Sequence, residues 1–325
     1  MNAESPATVN STSAPCRLFG LLARQASVGV LLRRGPSSWV RLIRWNTQDD
    51  SFERGDWFHG RINERRCDLS PSGRQFVYFA KKFSARTLRD FPTFLDEVRA
   101  WLTGNTERRD RHYTYSWTAV SRPPWLAALA LWPKGDCRRG GGLFESESDL
   151  LLNHPPGDRC HPDHRPEGLN VRPLIAGGGN WPIYAARLLR DGWTLEKRGH
   201  FPSGLWKGRR AKEPEIWRRA CPSGSAQLEM IQEDWSSKAF GGPYVLRFRV
   251  RRDAATPWAD LGRATWGNWD HRGRLVLARN GGLYHCELPA TGDPHLRLIA
   301  DFNDESPEPI TPPPSAWTWP TTPTD

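Results

Sequence analysis

Four side chains of the zinc-ligand type, His154, Cys160, His161 and His164, fall within eleven residues of a loop-like run rich in proline and aspartate. Tetrahedral zinc needs four nitrogen or sulfur ligands, and this run supplies four. The spacing departs from that of standard zinc fingers, and adjacent Cys160 and His161 are poorly placed to face one ion, so a plain surface loop is the competing reading. Just upstream, Glu145, Glu147 and Asp149 alternate beside the run Gly140 to Gly142. Carboxylates so gathered can do general acid–base work, but that chemistry needs a matched partner, and an exposed strand produces the same alternation. The remaining candidates are indoles. Trp181, Trp206, Trp266 and Trp269 sit near glycine-rich turns among polar neighbours, where an aromatic face can stack on a sugar or a peptide side chain. The 17 tryptophans are spread over the whole chain, however, and recurrence of that kind favours packing. Phosphate-loop, nucleophile-elbow, His-Glu-x-x-His and dinucleotide fingerprints do not occur. The sequence therefore leans away from catalysis.

Composition narrows the partners. The formal charge is +10, carried mostly by arginine, which suits acidic proteins or phosphate backbones. Arginine is scattered in doublets from Arg17 to Arg297 without one long basic block, so nucleic-acid binding is not favoured. The six cysteines contain no Cys-x-x-Cys pair and read as reduced. No apolar run reaches membrane-span length, and Met1 to Pro15 lacks a secretory signal pattern, so the expected location is cytoplasmic.

The elements that must position these residues are mostly strands. Cys67 to Ala80, Cys221 to Met230 and Trp266 to Ala278 each read as strand, tight turn, strand, with turn glycines Gly73, Gly224 and Gly273 placed 151 and 49 residues apart. The first interval is about three times the second, in the range of blade periods of about 40 to 50 residues. Val28 to Arg33 and Trp39 to Trp45 form strands around a Gly35 to Ser38 turn, followed by a turn at Asn46 to Asp50 and a strand from Ser51. Further strands are expected at Tyr113 to Val120, at Trp125 to Trp132 between prolines, and at Tyr244 to Val250 with Arg247 and Arg249 outward. Asp191-Gly192 is read as the turn of a hairpin between Tyr184 to Arg190 and Trp193 to Glu196, and Asn280-Gly281 as that of a second, from Leu275 to Leu288. Apolar spacing predicts a helical insertion within 84–111, its core near residues 88–103.

The pieces Trp39 to Thr47, Leu69-Ser-Pro-Ser-Gly-Arg74 and Asp270 to Leu277 resemble the blade strands and Ser-Pro-Asp-Gly type turn of TolB-like and WD-repeat propellers. The likeness covers about half the chain and is to a bacterial β-propeller family with no assigned activity. Ser72 replaces the commonest Asp of the turn, and regular Gly-His to Trp-Asp pairs are missing. The resemblance implies an all-β β-propeller of about five to six four-stranded blades, with segments near Val28 and Trp317 able to close one blade together.

The expected organisation is a disordered leader at 1–16, a propeller at 17–305 and a Pro/Thr-rich strap at 306–325. The expected role is a non-catalytic binding or scaffolding protein that holds a protein partner on its loop face. The alternatives are a propeller enzyme acting on carbohydrate or another polar substrate, and nucleic-acid association through basic loops. No cofactor is implied beyond zinc at His154 to His164.

Overall fold

In the computed structural model, alternating and doubly apolar stretches of the described residues form 21 strands in five sheets. The structure describes residues 14–35, 37–82, 102, 115–135, 137–174, 180–199, 213–234 and 244–320. Sheet 1 is β1 (Arg17–Leu22), β2 (Val28–Arg34), β3 (Trp39–Asn46) and β4 (Ser51–His59), paired in chain order. Sheet 2 holds β5 (Arg61–Ile62), β6 (Asp68–Leu69), β7 (Phe76–Lys81), β8 (Ser116–Ser121) and β9 (Ala130–Lys134). Sheet 3 is β10 (Gly142–Phe144), β11 (Asp149–Leu152) and β12 (Asn170–Pro173), the last pair parallel. A helix, α1 (Trp181–Arg190), then leads into sheet 4: β13 (Trp193–Lys197), β14 (Glu215–Ala220), β15 (Gln227–Asp234), β16 (Val245–Arg251) and β17 (Ala259–Ala264). Sheet 5 is β18 (Trp266–Trp269), β19 (Leu275–Arg279), β20 (Gly282–Glu287) and β21 (His295–Asp301). The fold is all-β in class, with nearly every strand pair antiparallel.

Each sheet follows a short stretch of chain because its turns are local. Asn280 (φ 49°) and Gly281 (φ 79°) take the left-handed conformations that a two-residue hairpin between β19 and β20 requires. In the turns before β7 and β19, Gly73 and Gly273 donate their amides to Ser70 and Asp270. Cys67 to Ala80 and Trp266 to Ala278 thus fold as strand, turn and strand, whereas Cys221 to Met230 supplies only a turn and the start of β15, because β14 ends at Ala220. β7 forms as its residues suggest: Phe76 to Ala80 are all buried and therefore covered on both faces.

The apolar cores lie between neighbouring sheets. One joins sheets 1 and 2 through residues such as Leu32, Val40, Phe76 and Tyr78. A second joins sheets 1 and 5 through Ile43, Trp45, Val276 and Phe302. A third joins sheets 2 and 3, and the largest joins α1, sheet 4 and sheet 5. Strand contacts run from β1 to β6, from β6 and β7 to β10, from β10 to α1, from α1 to β13, from β17 to β19, and from β18 and β19 back to β1.

Four further expectations are corrected. Tyr184 to Arg190 is not a hairpin arm but part of α1: Pro182 suits its first turn, and Ile183, Tyr184, Arg187 and Leu188 form one buried helical face. Asp191 caps this helix and Gly192 (φ 84°) follows it, so the Asp-Gly pair ends a helix instead of turning a hairpin. The strand near Trp132 begins only at Ala130 and runs through Pro133, which β9 tolerates because it is the edge of sheet 2. Val28 and Trp317 share no sheet: sheet 1 is complete within residues 17–59, and Trp317 ends a 3-10 turn at Pro314–Trp317. Among the described residues two of the sheets have four strands, while sheet 3 has three and sheets 2 and 4 have five. The helical insertion lies outside the described residues apart from Leu102, and most of the leader lies outside them too.

Candidate functional site

Two of the four sequence-derived metal residues, His154 and Cys160, are held by hydrogen bonds within the fold. His154 is buried, its Nδ1 2.9 Å from Asp158 Oδ2 and its Nε2 2.7 Å from Thr118 Oγ1. The Cys160 thiol donates to the carbonyls of Leu131 and His164, and burial raises its pKa. Backbone bonds from His161 to Leu131 and from Leu131 to His164 sew this loop along the β9 edge. His161 and His164 rings lie 5.4 Å apart by centroid. Among the described residues no three His, Cys, Asp or Glu side chains gather as a metal cluster, so the four proposed ligands do not converge.

The carboxylate trio is likewise dispersed into local bonds. Glu147 accepts from the Ser70 and Ser72 hydroxyls and the Ser72 amide, holding the turn before β7. Glu145 pairs with Arg172, and Asp149 accepts from Ser146 and Asn170. Of the four indoles, Trp206 lies outside the described residues. Trp181 packs on Trp217 with ring centroids 5.9 Å apart and carries the Arg198 guanidinium over its face. Trp266 and Trp269 are buried, and the structure brings these two together in the wall of one cavity.

That cavity, of about 650 Å³, lies among β1, α1, sheet 4 and sheet 5. Its buried lining includes apolar residues such as Leu21, Leu188, Trp193, Phe248, Trp266 and Trp269, together with Arg187 and Asp270. Its outer parts are polar and accessible, at Arg24, Ser223 and Arg272. Five arginines line it, Arg24, Arg187, Arg190, Arg219 and Arg272, against the two aspartates Asp191 and Asp270.

Two of the five have acidic partners. Arg190 binds both oxygens of buried Asp68 and also Asp191. Arg272 lies 3.6 Å from Asp50. The other three have no carboxylate in ion-pair range among the described residues. Arg24 donates to the carbonyls of Phe144 and Glu145, Arg187 to those of Glu64 and Cys67, and Arg219 to the Asn268 side chain. Burial pushes all three below the usual guanidinium range, with Arg190 adding repulsion at Arg24. A guanidinium stays protonated through such a shift, so these three stand in the cavity wall as cations that Asp68 and Asp191 offset only through space, from beyond ion-pair range.

The other polar groups of the cavity are occupied. Asp270 accepts the amides of Arg272 and Arg274 and the Arg274 side chain. The two ring nitrogens of His271 face Thr47 Oγ1 at 2.9 Å and the Ala23 carbonyl at 2.7 Å. Sequence reasoning missed the arginines because each comes from a different place: the end of β1, the inner face of α1 and the end of β14. A usable signal is Arg187 at a buried helical position, but its apolar stretch fits a strand as well as a helix.

Compared with known proteins, the chain matches no family model and no curated protein. Among the described residues no helix is long and apolar enough to cross a membrane.

Proposed function

We propose that this chain is a five-bladed β-propeller that acts as a non-catalytic binding protein, holding an acidic segment of a protein partner in its arginine-lined cavity. Support for the radial arrangement comes from cores between successive sheets and from contacts that lead from sheet 5 back to sheet 1, with α1 between sheets 3 and 4. On this reading the turns before β7 and β19 are the Ser-Pro-Asp-Gly type turns of blades.

One observation carries the binding role: Arg24, Arg187 and Arg219 lack carboxylate partners among the described residues and line the same cavity. An anion entering it replaces lost hydration of these cations and gains charge-assisted hydrogen bonds. The Trp266 and Trp269 rings add apolar surface, so a carboxylate beside a bulky apolar side chain fits better than a carboxylate alone. The concave form and these apolar rings favour a peptide over a nucleic-acid backbone, which needs a basic track along an accessible face. Committed hydrogen bonds at His271 and Asp270 support a binding role over general acid–base chemistry.

Selection of a displayed random-peptide library on the purified chain tests this reading. Enriched peptides should combine Asp, Glu or a free C-terminal carboxylate with an aromatic or aliphatic neighbour, and Arg219→Ala should weaken their binding about tenfold or more. Enrichment without acidic residues, or affinity indifferent to Arg219→Ala, overturns it. Tighter, steeply salt-dependent binding of single-stranded nucleic acid would transfer the role to that class.

A further inference from the structure

We propose that a second cavity, between β4 and the C-terminal segment, binds a small organic cation of the alkylammonium or quaternary ammonium class. This site shares no lining residue with the arginine-lined cavity and does not depend on the role proposed for it. It has a volume of about 740 Å³, within the usual range for small-molecule sites. Residues Pro307 to Pro312 form one wall, and Trp39, Trp57, Phe58 and the 57% exposed Trp317 supply aromatic surface.

The uncompensated charge of this lining is one carboxylate: Glu308 pairs with Arg41 at 3.3 Å, whereas Asp56 has no cation in ion-pair range among the described residues. In a chain of formal charge +10, the ionisable groups that line the cavity among the described residues are Asp56 and Glu308, both acidic. Asp56 is bound at one oxygen only. Its Oδ2 accepts the Leu126 amide at 3.0 Å, while Oδ1 is shielded from water and accepts no hydrogen bond. Shielding such a carboxylate is unfavourable, and its pKa is raised by burial. A cation lodged beside it offsets that cost through space.

The aromatic walls match the same chemistry. Indole faces attract cations through their quadrupole, most strongly where water is displaced, and cages of such rings recognise quaternary ammonium groups. Trp57 already carries two protein cations, with the Arg33 and Arg41 guanidiniums 5.0 and 5.3 Å from its ring. Trp39 stands edge-on to Trp57 at 6.4 Å and stacks on His59 at 4.6 Å, so its position is set by packing before any ligand arrives. An apolar ligand would use the rings and leave Asp56 unanswered; an anion would be repelled by it, since Glu308 is already paired with Arg41. A compact ammonium group uses both features.

Choline and its neutral carbon isostere, 3,3-dimethylbutan-1-ol, separate these possibilities by isothermal titration of the full-length chain. Choline should bind saturably and the isostere about tenfold more weakly or worse. Asp56→Asn and Trp317→Ala should each weaken choline binding by a similar factor, and Arg219→Ala should leave it unchanged. Near-ultraviolet circular dichroism checks that the variants fold, and Trp317 is exposed enough for its removal to spare the core. Equal affinity for the isostere overturns the proposal. So does absence of saturable choline binding, or choline affinity indifferent to both Asp56→Asn and Trp317→Ala. Loss of choline binding in Arg219→Ala would instead place the cation in the other cavity and also overturn it.

Discussion

Asp56 is a single residue whose chemistry can be read with a pH meter. Its folded pKa lies above its unfolded value because burial penalises the charged form. The penalty is complete above the folded pKa and disappears as pH falls to the unfolded value near about pH 4. Asp56→Asn should therefore raise stability at neutral pH, by less than about 1 kcal/mol given the partial exposure of the group. The gain should fade on acidification, and thermal melts of both proteins from neutral to acidic pH check the sign. Buried thiols give a second residue-scale expectation. Burial pushes the Cys16 thiol up to about 11, Arg33 opposing it, and those of Cys67 and Cys286 up to about 12. These three should react with a thiol reagent such as dithionitrobenzoate only as fast as the protein opens, so denaturant should accelerate their labelling.

At the scale of elements, sheet 4 carries a charge inside it. Glu229 on β15 is fully buried and accepts from Arg218 on β14 and Arg249 on β16, the strands on either side. The guanidiniums of Arg218, Arg249 and Arg251 also lie over Trp258, at 5.3, 5.8 and 4.7 Å. Glu229→Gln removes the charge but keeps the shape, and should cost about 2 kcal/mol in urea unfolding. The full cost of a broken buried pair is higher, but both arginines are one-third exposed and regain some hydration. In sheet 5, Gly281 holds a left-handed conformation, and a Cβ there would sit 2.0 Å from Asn303 Oδ1. Gly281→Ala should cost about 1 to 2 kcal/mol through backbone strain alone, measurable as a lowered denaturation midpoint. Asn303 also accepts the Cys16 amide, so the same variant loosens the junction of β1 with sheet 5.

On the scale of the whole molecule, the first and last sheets are tied through Arg33. This arginine is 1% exposed, yet it donates to the carbonyls of Phe302, Asn303 and Glu305, all about 270 residues away in sequence. Glu305 in turn pairs with Arg41 and Arg54 on sheet 1. Arg33→Met leaves these three carbonyls and that of Gly35 without their donor and should cost about 3 kcal/mol. Limited proteolysis should then cut within 303–320 before the body is digested, since that segment loses its anchor. Simultaneous digestion of body and tail would show instead that the junction of sheets 1 and 5 governs global stability.

What the sequence by itself determined was local. Period-two apolar alternation, Asn280-Gly281 and the Gly73 and Gly273 turns specify hairpins between residues a few positions apart, and those formed where expected. Trp125 to Trp132 and Tyr184 to Arg190 misled because short apolar runs fit strand and helix alike; β9 stops at the edge of its sheet, and α1 is selected by packing between β10 and β13. The His154 to His164 run is a ligand set by proximity in sequence alone; in the fold His154 bonds Asp158 and Thr118, and the Cys160 thiol bonds the carbonyls of Leu131 and His164. Both cavities were decided only by tertiary structure. Arg24, Arg187 and Arg219 converge from three elements, and Asp56 meets Trp317 across more than 250 residues, distances that no linear pattern encodes because burial and charge compensation are set when sheets stack.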